Sequence, residues 1–418
     1  MSPTETRAGA DLLTAATIAD PFPLLAELRE SDPVHWSERH SAWLVTRYDD
    51  CVAAYADPRL SSDRVNPLLA QLSDERRAQM GDLLARIADW MVTTDPPLHS
   101  RLRRLAGRAF NPPRIAALGD RIGQLVDELL DEFIGSGEQD LFAGFAYPLP
   151  ATVIAEILGA PVEDRDRFRT WSDEVALVAF GAGGDARADR HQRALAGVTE
   201  LYEYLHWLIE RARASPGEDM LSALLEGDGS GEVLSDDEIA SLGALMLFAG
   251  HETTSNLLSR IALALCQYPD ERERLVRDPE LAKKAVEEIL RFDGPAKVLT
   301  RWVVEGHERL GRRIEAGQRV MIIGSSANRD PARFPEPDRL DLGRSPNPHI
   351  AFGKGIHACI GAQLARLEGR IGMMGMVRRL PGLQLADPAA ELHWIPSLAS
   401  RGLERLDVEF DRREAGER

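Results

Sequence analysis

Cysteine is scarce here: Cys51, Cys266 and Cys359 are the only three in 418 residues, an odd number spread along the whole chain. Secreted domains framed by disulfides are far denser in cysteine, so the expectation is a protein of the reducing cytoplasm. Long hydrophobic runs are missing at the start as well. Between Met1 and Ala19 the charged residues Glu5, Arg7 and Asp11 interrupt the apolar stretches, so neither a signal peptide nor a membrane anchor is visible. Positive charge is in deficit: 50 Lys and Arg against 67 Asp and Glu give a formal net charge of −17. A phosphate backbone or an anionic headgroup would repel such a chain, and nucleic acid and membrane are not expected partners. Three scattered cysteines without paired spacing cannot frame a zinc site or an iron–sulfur cluster, and no glycine fingerprint of a dinucleotide site is apparent.

What is present suffices for a large core, 44% hydrophobic residues with 28% charged, the balance of an ordinary globular protein. No internal repeat or linker divides the sequence, which reads as one domain over residues 1–418 with flexible tails at about 1–19 and 411–418. A monomer is expected. Val34-His35-Trp36 and Trp43-Leu44-Val45-Thr46, split by a polar turn, predict a small antiparallel pair, and Arg319-Val320-Met321-Ile322-Ile323 a further strand. Most of the rest reads helical, punctuated by clusters such as Asp95-Pro96-Pro97, Asn111-Pro112-Pro113 and Tyr268-Pro269-Asp270. The fold class is therefore mainly α with a small β region. The longest helix opens at Ser235-Asp236-Asp237-Glu238, where Ser and Glu can satisfy each other's backbone donors, and runs to about Gln267. It would span roughly 50 Å. From Ile239 to Phe248 it is apolar nearly all round, the mark of a helix inside the molecule. The glycine-rich stretch from Phe180 to Ala186 is either a mobile lid or an idle surface loop.

One segment carries chemistry: Phe352-Gly353-Lys354-Gly355-Ile356-His357-Ala358-Cys359-Ile360-Gly361, followed by a helical run from Ala362 to about Leu380. A cysteine at a helix N-terminus meets the positive end of the dipole and free backbone N–H groups, which favour thiolate over thiol. Cys51 and Cys266 read as small buried hydrophobes. A nucleophile at Cys359 would want a base, and His357 two residues away in a glycine loop need not face the sulfur. A single-cysteine haem ligand fits best. The segment resembles the haem-binding loop of the cytochromes P-450, with Phe, three Gly, His and Cys at matching positions, and the resemblance runs from about Asp20 to Phe410.

That resemblance implies the fold of the family, a long buried helix over a haem b, and a set of roles. Cys359 would ligate the iron, with Phe352, Gly353 and Gly361 shaping its loop. His99 and Arg103, at i and i+4, would hold haem propionates together with Arg301 and His357. In Ala249-Gly250-His251-Glu252-Thr253-Thr254, Thr253 would bond the iron-bound dioxygen, Glu252 would relay protons, and Gly250 would leave room for dioxygen. A threonine in a helix can also simply bond back to the carbonyl four residues earlier. Glu288 and Arg291 resemble the structural Glu-x-x-Arg pair, with Arg339 as its third member; Glu271 and Arg274 share the spacing, so position alone distinguishes the two pairs. The substrate pocket would draw on Leu245, Phe248, Ala249, Lys297, Val298, Leu299 and Leu398, closed by a loop between about Ser61 and Trp90, for a mainly apolar ligand. Lys297 would either snorkel away or pair with an acidic substrate. The implied activity is monooxygenation, hydroxylation or epoxidation, in a setting such as natural-product tailoring. Electrons would come from a separate ferredoxin and its reductase, docking near Arg104, Arg108, Lys354 and Arg366. A peroxide-driven or oxidative-coupling enzyme of the same fold, and a haem-bearing binding protein without turnover, are the alternatives.

Overall fold

Ser235 caps the helix Asp236–Gln267 as its sequence predicts, its hydroxyl accepting from Glu238 N while the Glu238 carboxylate accepts from Ser235 N. This computed structural model describes residues 10–411 apart from 138, 165, 166, 169, 172, 173, 175–189, 228 and 230; the stretch from Phe180 to Ala186 lies outside the described residues. Most of the long helix is buried. It packs against the helices Pro148–Ile157, Arg190–Ala214, Ala282–Asp293 and Ala362–Arg379, and their apolar faces merge into one cluster that includes Leu149, Leu205, Leu257, Ile261, Ile289 and Met373. Each such side chain contributes about 1.5–3 kcal/mol when fully buried. Two of the buried serines on this helix bond back to it, Ser255 donating to the His251 carbonyl at 2.9 Å and Ser259 to that of Asn256 at 3.0 Å, while Ser241 donates to the Asp89 carbonyl.

Among the described residues the β region is one five-stranded sheet and two short two-stranded sheets. β1 (Val34–Ser37) and β2 (Ala42–Val45) form the antiparallel pair expected from sequence. β3 (Leu60–Ser61) and β4 (Val298–Val303) are antiparallel, β5 (His307–Arg309) pairs with β6 (Arg312–Ile314), and β7 (Arg319–Ile323) runs parallel to β2 and antiparallel to β4. The sheet order is β1-β2-β7-β4-β3. β8 (Gln384–Leu385) and β9 (Val408–Glu409) close the C-terminal part. Alternation along β7 sends Val320 and Ile322 into one apolar cluster and Met321 and Ile323 into another.

Residues 10–19, expected to belong to a flexible tail, are described and held in place. Leu12 N donates to His40 Nε2, Thr14 caps the helix Ala15–Ala19, and Arg401 donates to the carbonyls of Ile18 at 2.7 Å and Ala19 at 2.9 Å. A guanidinium held at the face of Trp394 by cation–π attraction thus fixes residues that look unstructured in sequence. Asp411, at the other end, donates its backbone N–H to Pro381. Among the described residues no helix is long and apolar enough to cross a membrane.

Candidate functional site

The loop before the helix Ala362–Arg379 is held by its own backbone: Gly353 N donates to Ile350 O and Cys359 N to Phe352 O, both at 2.9 Å. Gly353 and Gly355 sit at φ 67° and 72°, the left-handed region that a side chain disfavours, and a Cβ on Gly355 would lie 3.1 Å from the Tyr55 carbonyl oxygen. Cys359 is not in the helix itself, whose first residue is Ala362 with Gly361 as N-cap. Even so, the N–H groups of Gly361 and Ala362 reach the sulfur. Cys359 keeps solvent-accessible surface, yet the protein packed around it partly desolvates the thiol and pushes it up, against the Gly361 N–H, the guanidinium groups of Arg103 and Arg366, and the Ala362 N–H, all of which favour thiolate. Arg366 also covers the Phe352 ring at 4.5 Å.

Facing this loop is a set of basic side chains. His99 and Arg103 share one face of the helix Leu98–Ala109, and the rings of His99 and His357 stack with centroids 3.9 Å apart. His99 Nδ1 and His357 Nε2 are buried and meet no hydrogen-bond partner among the described residues. Burial, His99 and Arg301 bring the His357 ring down to about 3, so it stays neutral. Arg301 is 4% exposed, and Nη1 donates to the Thr300 carbonyl. Asp95, the carboxylate nearby, is already bonded by Ser61 Oγ and Ser62 N. Arg64, which sequence reasoning missed, belongs here too: it is brought down to about 10 by burial and by Arg301, and it acts in turn on His357. Nothing in the polar run around Arg64 signals that role. A thiol beside buried donors of net positive charge fits a haem, whose iron takes a thiolate and whose two carboxylates take the cations.

On the other side stands the long helix. Thr253 Oγ1 donates to the Ala249 carbonyl at 2.6 Å, the back-bond open to any helical threonine, and its oxygen keeps accepting capacity. The Glu252 carboxylate accepts from Ser400 Oγ at 3.1 Å. A Cβ on Gly250 would lie 2.8 Å from Ile154 Cδ1, so the missing side chain admits the helix Pro148–Ile157.

The expected pocket residues separate. Ala249, Leu299 and Leu398 are half-buried, and Leu299 lies beside Gly353. Leu245 is buried in the main core, and Phe248, 1% exposed, is sealed against Trp90 with ring centroids 5.8 Å apart. Val298 pairs with Ile323 and packs with Leu25, Leu28 and Leu44, on the opposite face of β4 from Leu299. The two-residue period of a strand prevents both from lining one pocket.

Lys297 does not snorkel to solvent. It is 8% exposed, and Nζ donates to the Ser397 carbonyl. Burial, with Arg401 nearby, brings its ammonium down to about 8. A lowered lysine costs stability wherever both states are protonated, so the penalty, on the order of 3 kcal/mol, is complete below pH 8. It is relieved between about 8 and 10.5, where the folded chain sheds its proton before the unfolded one. Denaturant unfolding should therefore show wild type gaining stability relative to Lys297→Met as pH rises through that window; a constant difference would refute the burial argument.

The structural pair lies under this site. Glu288 and Arg291 are wholly buried and joined by two bonds of 2.8 Å. Their third member is Arg344, whose Nε meets the Glu288 carboxylate at 3.0 and 3.1 Å. Arg339, expected in that place, points its exposed side chain at Glu336 and contributes only its carbonyl. Irregular backbone from Pro335 to Pro348 has no period from which this could be read. Glu271 and Arg274 also pair, at 2.6 Å, but with Arg274 substantially exposed.

Residues 185–382 match the family profile for cytochrome P-450. The chain is 40% identical over 408 residues to the cytochrome P-450 monooxygenase PikC of Streptomyces venezuelae, spanning 96% of this chain and 94% of that one. It is 40% identical over 409 residues to the vitamin D(3) 25-hydroxylase of Pseudonocardia autotrophica, 97% of each chain. The solved structure of PksS, the cytochrome P-450 of the bacillaene polyketide synthase of Bacillus subtilis 168, matches with a TM-score of 0.86 at 36% identity, over 96% of this chain and 100% of that one.

Proposed function

This chain belongs to the cytochrome P-450 family, a haem monooxygenase, and on that premise we propose that it hydroxylates or epoxidises a mainly apolar natural product with electrons from a separate ferredoxin and reductase. The observation that carries the reading is the Cys359 sulfur near Arg103, which belongs to one basic group with buried His99 and Arg301 and half-buried His357. The two guanidinium groups as cations and the two imidazoles as hydrogen-bond donors would pair with two carboxylates, which favours haem b, and Cys359 would ligate its iron. When bound, the haem supplies the iron at which dioxygen is reduced, one oxygen atom going to substrate and the other to water. The protein's own part is protons and exclusion of water. Glu252 would hold a proton at its carboxylate and Thr253 would pass it on at Oγ1, while Ala249 and Leu299 would offer the substrate an apolar wall; Leu398 packs instead against the cluster that holds Val298. A relative named for the hydroxylation of vitamin D(3) supports a bulky apolar ligand.

Retention of the acid and threonine supports the dioxygen route over a peroxide-driven one. The docking face for the ferredoxin is narrower than the four cations expected from sequence. Arg104 is paired to Glu232, Arg108 donates to the Gly227 carbonyl and Arg366 is paired to Glu287, whereas Lys354 is exposed and pairs with none of the described residues. With a surrogate ferredoxin and reductase at low salt, Lys354→Glu should slow reduction several-fold and leave peroxide-supported turnover unchanged. Equal reduction rates would remove the docking assignment. Turnover that peroxide supports and that no ferredoxin and reductase pair can support would overturn the electron route.

A further inference from the structure

The Glu252 carboxylate is tied to the C-terminal loop, 148 residues away in sequence, and the tie is built in layers. Ser400 Oγ lies 3.1 Å from Glu252 Oε1 and 3.1 Å from Ser397 Oγ. Ser400 Oγ is the donor in both contacts, and a hydroxyl carries one proton, so that proton goes either to the Glu252 carboxylate or to Ser397 Oγ. Ser397 Oγ in turn accepts from Ser400 N at 3.2 Å. Both serines are buried, at 1% and 8% exposure. The turn that carries them is fixed to the strand side of the site: Lys297 N donates to the Ala399 carbonyl at 2.8 Å, Lys297 Nζ to that of Ser397, and Arg401 N to that of Pro295 at 2.7 Å. Thus Lys297, whose charge is held in the interior at a cost, pins the carbonyl of the residue whose hydroxyl is the second acceptor open to Ser400.

Such a turn does more than fill space. A hydroxyl aimed at a carboxylate stabilises its charged form and its rotamer, and the bond weakens when the carboxylate takes a proton. On the helix, Glu252 and Thr253 are successive and point about 100° apart, so a proton held at Glu252 reaches Thr253 only if the carboxyl group leaves the Ser400 side. We propose that Ser400, with Ser397 Oγ as its alternative acceptor, is a positioning residue for monooxygenation: it holds the charged Glu252 carboxylate at the C-terminal loop and, once the carboxylate is protonated, turns to Ser397 and releases it toward Thr253. The proposal rests on the reading of Glu252 as the proton carrier.

The test uses the haem-loaded enzyme with surrogate ferredoxin, reductase and NADPH, with vitamin D(3) as the probe, and reads the fraction of consumed dioxygen released as peroxide. Ser400→Ala should raise that fraction several-fold, Ser397→Ala should raise it less, and Ser400→Thr should restore it. In the double variant Ser400→Ala with Glu252→Gln, the effect should be no larger than for Glu252→Gln alone, because the serine acts through the acid. A readout independent of turnover is the infrared carboxylate band of Glu252, isolated as wild type minus Glu252→Gln, which should shift in Ser400→Ala and return in Ser400→Thr. If Glu252→Gln raises peroxide and Ser400→Ala does not, or if the band stays fixed, the positioning role is wrong. If Glu252→Gln itself leaves the peroxide fraction unchanged while the Ser400→Ala band shift is seen, the reading of Glu252 as proton carrier fails and takes the mechanistic role with it.

Discussion

Cys359→His is expected to abolish the strongly red-shifted Soret band of the reduced, carbon-monoxide-bound protein and to lower product formation by at least about 100-fold, with haem still bound. The band reports a thiolate on ferrous iron, and the chain has no second thiol able to replace this one. Cys51 is fully buried, its Sγ 3.2 Å from the Val45 carbonyl oxygen, with its thiol pushed up by burial. Cys266 is likewise pushed up, to about 12, by burial in the long helix. Only Cys359 has backbone N–H groups from Gly361 and Ala362 and two guanidinium groups drawing it toward thiolate. Imidazole would keep an iron ligand in the same place, so haem retention with loss of the band isolates the thiolate's electron donation from its tethering function. A shifted band that survives in the variant would place the ligand elsewhere and remove the basis of the assigned chemistry.

Residues that act through a period or a cap were legible in the sequence; residues that act across irregular chain were not. The long helix could be read to within a residue because Ser235 and Glu238 mark its start and its apolar faces demand burial. The pair Glu288 and Arg291 was legible as i and i+3 on one helix, yet Glu271 and Arg274 pair just as closely, and burial separates the two. Arg344 was missed for Arg339 because five residues of non-periodic backbone decide which side chain turns inward. Val298 and Leu299 needed only the strand period to be sorted, since Lys297, Leu299 and Arg301 alternate away from Val298. Gly250 was read as an opening toward dioxygen, although a glycine on a buried helix equally serves a neighbouring helix, here through Ile154. Arg64 and the holding of Ile18 and Ala19 by Arg401 arise from tertiary contact alone.

The buried charge network under the site should carry the largest stability effect in the molecule. Glu288 accepts from Arg291 Nε and Nη2, Arg344 Nε, Asp341 N and Asn347 Nδ2, so its two oxygens are fully used. Arg291, with no exposed side-chain surface, also donates to the carbonyls of Asn328 and Pro337. These bonds tie the helix Ala282–Asp293 to the irregular segment leading to Ile350 and the cysteine loop, where Ile350 N meets Asn328 Oδ1 at 2.8 Å. Removing one partner of such a pair strands the other charge in the interior, at a cost of about 3–5 kcal/mol. Glu288→Ala is therefore expected to leave little folded, haem-retaining protein. Arg339→Ala, on an exposed pair, should cost about 0.5 kcal/mol or less, and Arg344→Ala should fall between the two. Denaturant unfolding of the three variants distinguishes the assignments: a large loss at Arg339 with little at Arg344 would restore Arg339 as the third member, and a loss near 1 kcal/mol for Glu288→Ala, a value typical of an exposed pair, would mean that water reaches the site and that the network does not hold the cysteine loop in place.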